Sequence, residues 1–188
     1  MQTLTGEVTM EKGEHKEIHW FEKLEADVAD TRSSDISISE EEWQRLRKSL
    51  NFEKHILESY RWVYETSLFL GDSGKPANSY HALRGVLIAL RDRMPVQEVF
   101  QLSAQMPVHI RGFFFEGYNL KDKPVKMKAD DFLKRIMDAM PPNCSTEPTV
   151  IFKGVLQVLY NHITEGELED IYATLPQDIK ALWDDARK

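Results

Sequence analysis

The sequence predicts an all-α protein, a helical bundle of two tandem helix-corner-helix repeats related by pseudo-twofold symmetry. Three observations predict it. No long run alternates apolar and polar residues, as a half-buried strand would. Leu83, Val86, Leu87, Leu90 and Met94 instead fall at the i, i+3, i+4, i+7 spacing of one helix face. Residues 82–114 then recur without a gap at 151–183, with eight identities: Gly85/Gly154, Val86/Val155, Leu87/Leu156, Leu90/Leu159, Glu98/Glu167, Ala104/Ala173, Pro107/Pro176 and Ile110/Ile179. Each copy has an apolar face too wide to bury alone, so the two are expected to pack on each other.

Taken in order, residues 1–38 form an acidic, Ser- and Thr-containing extension. Within it Trp20, Phe21, Leu24 and Val28 have the spacing of a short docked helix over 16–29, and DTRSSDIS reads as a loop. The helical domain is expected over 39–188. Ser39 with Glu42 is a capping-box pattern that starts a helix near Glu40. Residues 52–70 predict a long, well-buried helix with Phe52, Ile56, Leu57, Tyr60, Val63, Tyr64, Ser67 and Leu68 on its apolar face, stopped by Gly71. The first repeat, about 52–118, continues with a helix over 77–93 and a corner at Pro95. There a proline suits the first turn, because its missing N–H would have had no partner. The second repeat, about 129–188, solves the same corner with Thr164 and Glu167, again a capping-box pattern. Val99, Leu102 and Met106 face inward after the first corner, as do Leu168, Ile171 and Leu175 after the second. Pro107 and Pro176 each end a helix and open a short last one. Gly85 and Gly154 cost about 1 kcal/mol each in a helix relative to alanine, so they mark close helix crossings.

Composition narrows the function classes. The chain has 188 residues, 41% of them hydrophobic, and can bury a sizeable core. Its net charge of -7 opposes attraction to nucleic-acid phosphates and anionic lipid, so neither nucleic acid nor membrane is expected as a partner. Residues 1–50 hold 12 acidic and 7 basic side chains, against 19 and 17 in the remainder, so the excess acidity is mostly N-terminal. Cys144 is the only cysteine, no apolar run reaches spanning length, and the first residues lack the order of a secretory signal. The expected location is the cytoplasm.

A resemblance follows from several ordered blocks: FEKHILESYRWVYETSLFLG, SYHALRGVLIALRDRMPVQEVFQLSAQMPVHIRGFFFEGY and HITEGELEDIYATLPQDIKALW. Over about 52–184 these resemble the bacterial family known as domain of unknown function 2267. Met106 stands where the family usually has Leu, and Tyr118 where Trp is common. The resemblance implies a small helical bacterial domain and carries over no activity, cofactor or catalytic residue.

Individual motifs point away from catalysis. GDSGKP at 71–76 lacks both the β-barrel context of a serine protease and the spacing of a P-loop, and reads as a helix-ending loop. HKEIH at 15–19 is not the HExxH order of a zinc peptidase. His162, Glu165 and Glu169 are better explained by a helix start than by a metal. Neither a metal nor a cofactor is expected. KDKPVKMK carries four lysines in eight residues but no stacking aromatics, and reads as a solvated connector. Asp130/Asp131 and Asp184/Asp185 suit helix ends, and Cys144 has no basic neighbour to activate it.

Two function classes remain. The first is a non-catalytic protein-interaction or scaffold module. It would bind a protein partner or a second copy through Phe113, Phe114, Phe115 and Tyr118, since consecutive helical positions cannot all face one core. The second is a binder or enzyme for a small anionic ligand held between the repeats by Arg84, Arg91, Arg93 and Arg111. The structural counterpart of the second is that these arginines tie helices together through Asp92, Glu98 or Glu116.

Overall fold

The computed structural model describes residues 38–50, 52–71, 76–121 and 123–188. The expected helix over 16–29, the DTRSSDIS loop, HKEIH and the middle of GDSGKP lie outside the described residues. Among those described are nine helices and no strand.

Helix α1 (Glu40–Leu50) lies, as far as Ser49, in a unit that ends there. It starts as the sequence predicts. The Ser39 backbone N–H and hydroxyl donate to Glu42 Oε2 at 3.0 and 2.7 Å, while the Glu42 N–H returns to Ser39 Oγ at 3.3 Å. The bonds to Ser39 hold the Glu42 carboxyl below its usual pKa. Trp43, Leu46 and Leu50 are exposed along one side of α1.

The second unit, Leu50–Lys188, holds the other eight helices. They are α2 (Phe52–Phe69), α3 (Pro76–Arg93), α4 (Val96–Ala104), α5 (Val108–Phe115), α6 (Ala129–Asp138), α7 (Pro148–His162), α8 (Glu165–Thr174) and α9 (Gln177–Ala186). Their boundaries follow local chemistry. Gly71 ends α2 with φ +65°, a left-handed conformation that glycine adopts without a Cβ clash. Pro95, Pro107 and Pro176 take the N-cap positions of α4, α5 and α9, whereas Pro76 and Pro148 are the first residues of α3 and α7 themselves. The α6 terminus is capped from a distance, the Ala129 N–H donating to Asp178 Oδ2 at 2.9 Å.

Helices α3 and α7 are packed against each other and form the centre of the unit. Helix α2 lies on α3, α5 and α7, and α6 lies on α7, α9 and α3. Helix α4 packs on α8. The fully buried residues at equivalent places in the two segments match: Leu83 and Phe152, Val86 and Val155, Leu90 and Leu159, Leu102 and Ile171, Ile110 and Ile179, Phe114 and Trp183. Gly85 and Gly154 stand at the closest approaches. A Cβ on Gly85 would lie 2.9 Å from Ala139 Cβ and 3.1 Å from the Ile136 carbonyl oxygen of α6. One on Gly154 would lie 2.9 Å from Leu70 Cδ2, just past α2.

Two expectations are corrected. Helix α2 buries Ser59, Trp62, Thr66 and Ser67, whereas Leu57, Tyr60, Tyr64 and Leu68 are exposed. The small hydroxyl residues can face the core because each returns its proton to its own helix. Ser59 donates to the His55 carbonyl at 2.9 Å, Thr66 to Trp62 at 2.8 Å and Ser67 to Tyr64 at 2.6 Å. They also let α3 and α7 approach closely. The second correction concerns Thr164 and Glu167, which do not form a capping box. The Thr164 N–H donates instead to Gln105 Oε1 at 2.9 Å, and Gln105 Nε2 donates to Thr164 Oγ1 at 3.2 Å. A side chain from the end of α4 thus caps α8.

Candidate functional site

The exposed side of α2 carries a row of large apolar residues. Leu57, Tyr60, Tyr64 and Leu68 are 66%, 56%, 61% and 53% exposed, and their 3-4-4 spacing places them on one narrow stripe. Beside the stripe run charges already paired within the helix. Lys54 lies 4.0 Å from Glu58, and Arg61 Nε donates to Glu65 Oε1 at 2.9 Å.

The neighbouring side of α2 borders an open cleft of about 390 Å³, lined by His55, Glu58, Arg61, Trp62, Gln105, Met106, Pro107, Val108, Arg111 and His162. The His162 ring stacks on Trp62 at 5.0 Å between centroids, and its Nε2 lies 2.8 Å from Glu65 Oε2. Burial raises the Glu65 pKa, but bonds from Arg61, His162 and Asn161 outweigh it and hold the carboxyl low. Arg111 is fixed at the C-terminus of α4, donating from Nε to the Ser103 carbonyl at 2.8 Å and from Nη2 to Met106 at 3.1 Å. Lys180 does the same for α8 by donating to Ala173 at 3.0 Å. The cleft therefore sets Arg61 and Arg111 beside Glu58, with Glu65 pairing Arg61 and His162 from outside its lining.

The other arginines singled out in the sequence lie elsewhere. Arg84 Nη2 donates to Glu116 Oε2 at 2.7 Å. Arg91 is buried and donates from Nη1 to the carbonyls of Phe114 at 2.5 Å and Glu116 at 3.0 Å, and from Nε to Asp92 at 3.0 Å. Arg93 has its Nε buried without an acceptor. Of the four, Arg111 alone lines the cleft. The ties to Asp92 and Glu116 are those the structural reading anticipates.

Asp92 is the hub of a cluster of charges at the end of α3. Only 1% of its side chain is exposed, and it accepts from Arg91, from Lys123 Nζ at 2.6 Å and from Arg135. Burial alone would raise its pKa, yet the Lys123 hydrogen bond and the charges of Arg91, Arg135 and Lys123 hold it below the usual range. Lys123 is thereby turned inward, so the lysine-bearing connector is anchored rather than wholly solvated. Two of these cations lie over the Tyr118 ring, the Arg91 guanidinium 5.0 Å and Lys123 Nζ 5.3 Å from its centroid. Burial raises its phenol pKa.

The aromatic segment is divided in its burial. Phe114 is fully buried, while Phe113, Phe115 and Tyr118 are half-buried against the core. Phe113 meets exposed Tyr80 edge-on at 5.5 Å, and Phe115 meets exposed Phe100 at 5.5 Å.

The profile of the family described as "Uncharacterized conserved protein (DUF2267)" matches residues 70–182. The chain belongs to this family. No curated protein matches it significantly. The DUF2267 match takes in Gly85, Asp92, Arg111, the FFFEGY segment and both corners, but the exposed stripe of α2 lies before it. In this DUF2267 protein no described helix is long and apolar enough to cross a membrane. Among the described residues no group of three or more His, Cys, Asp or Glu side chains is placed to hold a metal ion.

Sequence reasoning named Arg111, but it placed Leu57, Tyr60, Tyr64 and Leu68 in the core and did not single out Arg61, Glu65 or Gln105. The signal for α2 was the row Ser59, Thr66 and Ser67, which can seat a close helix neighbour. Gln105 had no such signal, because its partner is 59 residues away.

Proposed function

We propose that the protein is a non-catalytic bacterial helical interaction module, acting in the cytoplasm, that docks an amphipathic helix of a protein partner on the outer face of α2. The observation that carries this reading is the exposed Leu57, Tyr60, Tyr64 and Leu68 stripe. Its 3-4-4 spacing suits the knobs of a second helix. The charges beside it are paired within α2, so covering the stripe leaves no unbalanced charge at its rim. Phe113, Phe115 and Tyr118, with Tyr80 and Phe100, extend the same reading to a second apolar edge. Residues 1–38 are an extension to the helical domain of 39–188.

The two segments would be copies packed about a pseudo-twofold axis, which makes the module a rigid platform. Support comes from the exchange of partners, α2 lying on α7 while α6 lies on α3, and from α3 meeting α7 and α4 meeting α8. The cation and ring of Arg91 over Tyr118 also trade places in Tyr160 under Arg187, 5.0 and 5.5 Å apart.

The test is selection of helical peptides on the full chain, followed by affinity measurement on Leu57→Asp and Tyr64→Asp. Binding should fall at least tenfold with Tm unchanged. Unchanged affinity in both variants would overturn the reading, and a concentration-dependent dimer abolished by both would make a second copy the occupant.

A second reading is favoured by the cleft, where Arg61 and Arg111 flank an open polar space. There a small anion would bind between the repeats. Inorganic phosphate titrated by NMR should shift amides of the α4–α5 corner in the native chain but not in Arg61→Gln; absence of any saturable shift removes this reading.

A further inference from the structure

Glu98 and Glu167 are equivalent residues of the duplicated segments, and each is the third residue of its helix. A glutamate there ordinarily turns back to accept the N-cap N–H. Neither can. The N-cap of α4 is Pro95, which has no N–H, and the N–H of Thr164 is already given to Gln105 at 2.9 Å. The corner chemistry of both repeats thus releases both glutamates from the helix ends, on two helices that pack against each other. One oxygen of each, Oε2 of Glu98 and Oε1 of Glu167, is buried without a hydrogen-bond partner. A buried acceptor left in this state is costly, and two carboxylates sharing one interface add repulsion.

We propose that Glu167 carries a proton toward Glu98 across the α4–α8 seam, and that loss of this proton loosens the seam, making it a pH-sensitive contact within the fold. Burial first, then the charges of Glu98 and Asp170, displace the Glu167 carboxyl upward. Cations on the neighbouring helices are engaged elsewhere: Arg111 of α5 on the α4 carbonyls and His162 of α7 on Glu65. His109 of α5 lies beside Ser59, and Lys153 of α7 is exposed. By contrast Arg93, which ends α3, has its Nε buried without an acceptor. Because the folded state favours the protonated form, this contribution to stability is present at the ordinary glutamate pKa of 4.5 and is lost as pH rises through the folded value.

Thermal unfolding of the full chain from pH 5 to pH 8 tests this with Glu167→Gln and Glu98→Gln. Glu167→Gln should match the native chain at pH 5 and exceed it by about 2–4 °C in Tm at pH 8. The double variant should gain no more than the larger single gain. A difference between Glu167→Gln and the native chain that is constant with pH overturns the proposal. Should a variant not fold, carboxyl-carbon NMR on the native chain decides. Titration of Glu167 above the ordinary glutamate range supports the shared proton, and titration within it refutes the proposal.

Discussion

At the scale of single residues, Asp92 joins the end of α3 to the connector and to α6 through Lys123 and Arg135. Replacing it by asparagine keeps the shape and removes the charge that three cations share. Because Asp92 and Arg91 are almost fully buried, Asp92→Asn should cost about 3–5 kcal/mol, read as a lower denaturant midpoint. The sign with pH is fixed by the lowered carboxyl: its contribution is complete above the unfolded value of 3.8 and disappears as pH falls through the folded value. Native and variant stability curves should therefore converge in strong acid. The residue 69 positions later in the sequence is Asn161, where Tyr160 stands at the place of Arg91 and the nearby Arg187 supplies the cation. The charge hub thus lies at Asp92 and not at Asn161, while a cation-ring contact is found beside both.

At the scale of helices, the two glycines answer the same steric problem with different tolerance. At Gly85 the obstacle is backbone, the Ile136 carbonyl at 3.1 Å, together with Ala139 Cβ at 2.9 Å. At Gly154 it is the far end of the Leu70 side chain. Gly85→Ala should destabilise by about 1–3 kcal/mol as α6 is forced away. Gly154→Ala should be near neutral, since a Leu70 rotation is offset by roughly 1 kcal/mol of helix propensity. Denaturant unfolding of the two variants gives the comparison, and equal losses would contradict it. Capping shows the same dependence on neighbours. Ser39 and Glu42 meet within one turn and form the box that their spacing predicts. Thr164 and Glu167 have that spacing too, but Gln105 reaches the Thr164 N–H from another helix and leaves Glu167 Oε1 buried without a partner.

At the scale of the molecule, every buried apolar side chain among the described residues lies between Trp62 and Ala186. A chain beginning at Leu50 should therefore keep its helical circular dichroism and unfold cooperatively; loss of either would show that the core needs residues before it. The sequence by itself determined the helical class, the positions of the corners and the apolar residues of α3, α4, α7 and α8. Those depend on proline, glycine and periodic apolar spacing, whose effects act within a turn or two of chain. The tertiary structure alone decided which side of α2 is covered, which backbone carbonyls hold Arg91 and Arg111, and why Glu98 Oε2 and Glu167 Oε1 are left without a donor. Each of these is a competition between partners distant in sequence: hydroxyls satisfied on their own helix can displace larger apolar groups from an interface, and a carbonyl or a glutamine from elsewhere can take the bond that a local partner was placed to make.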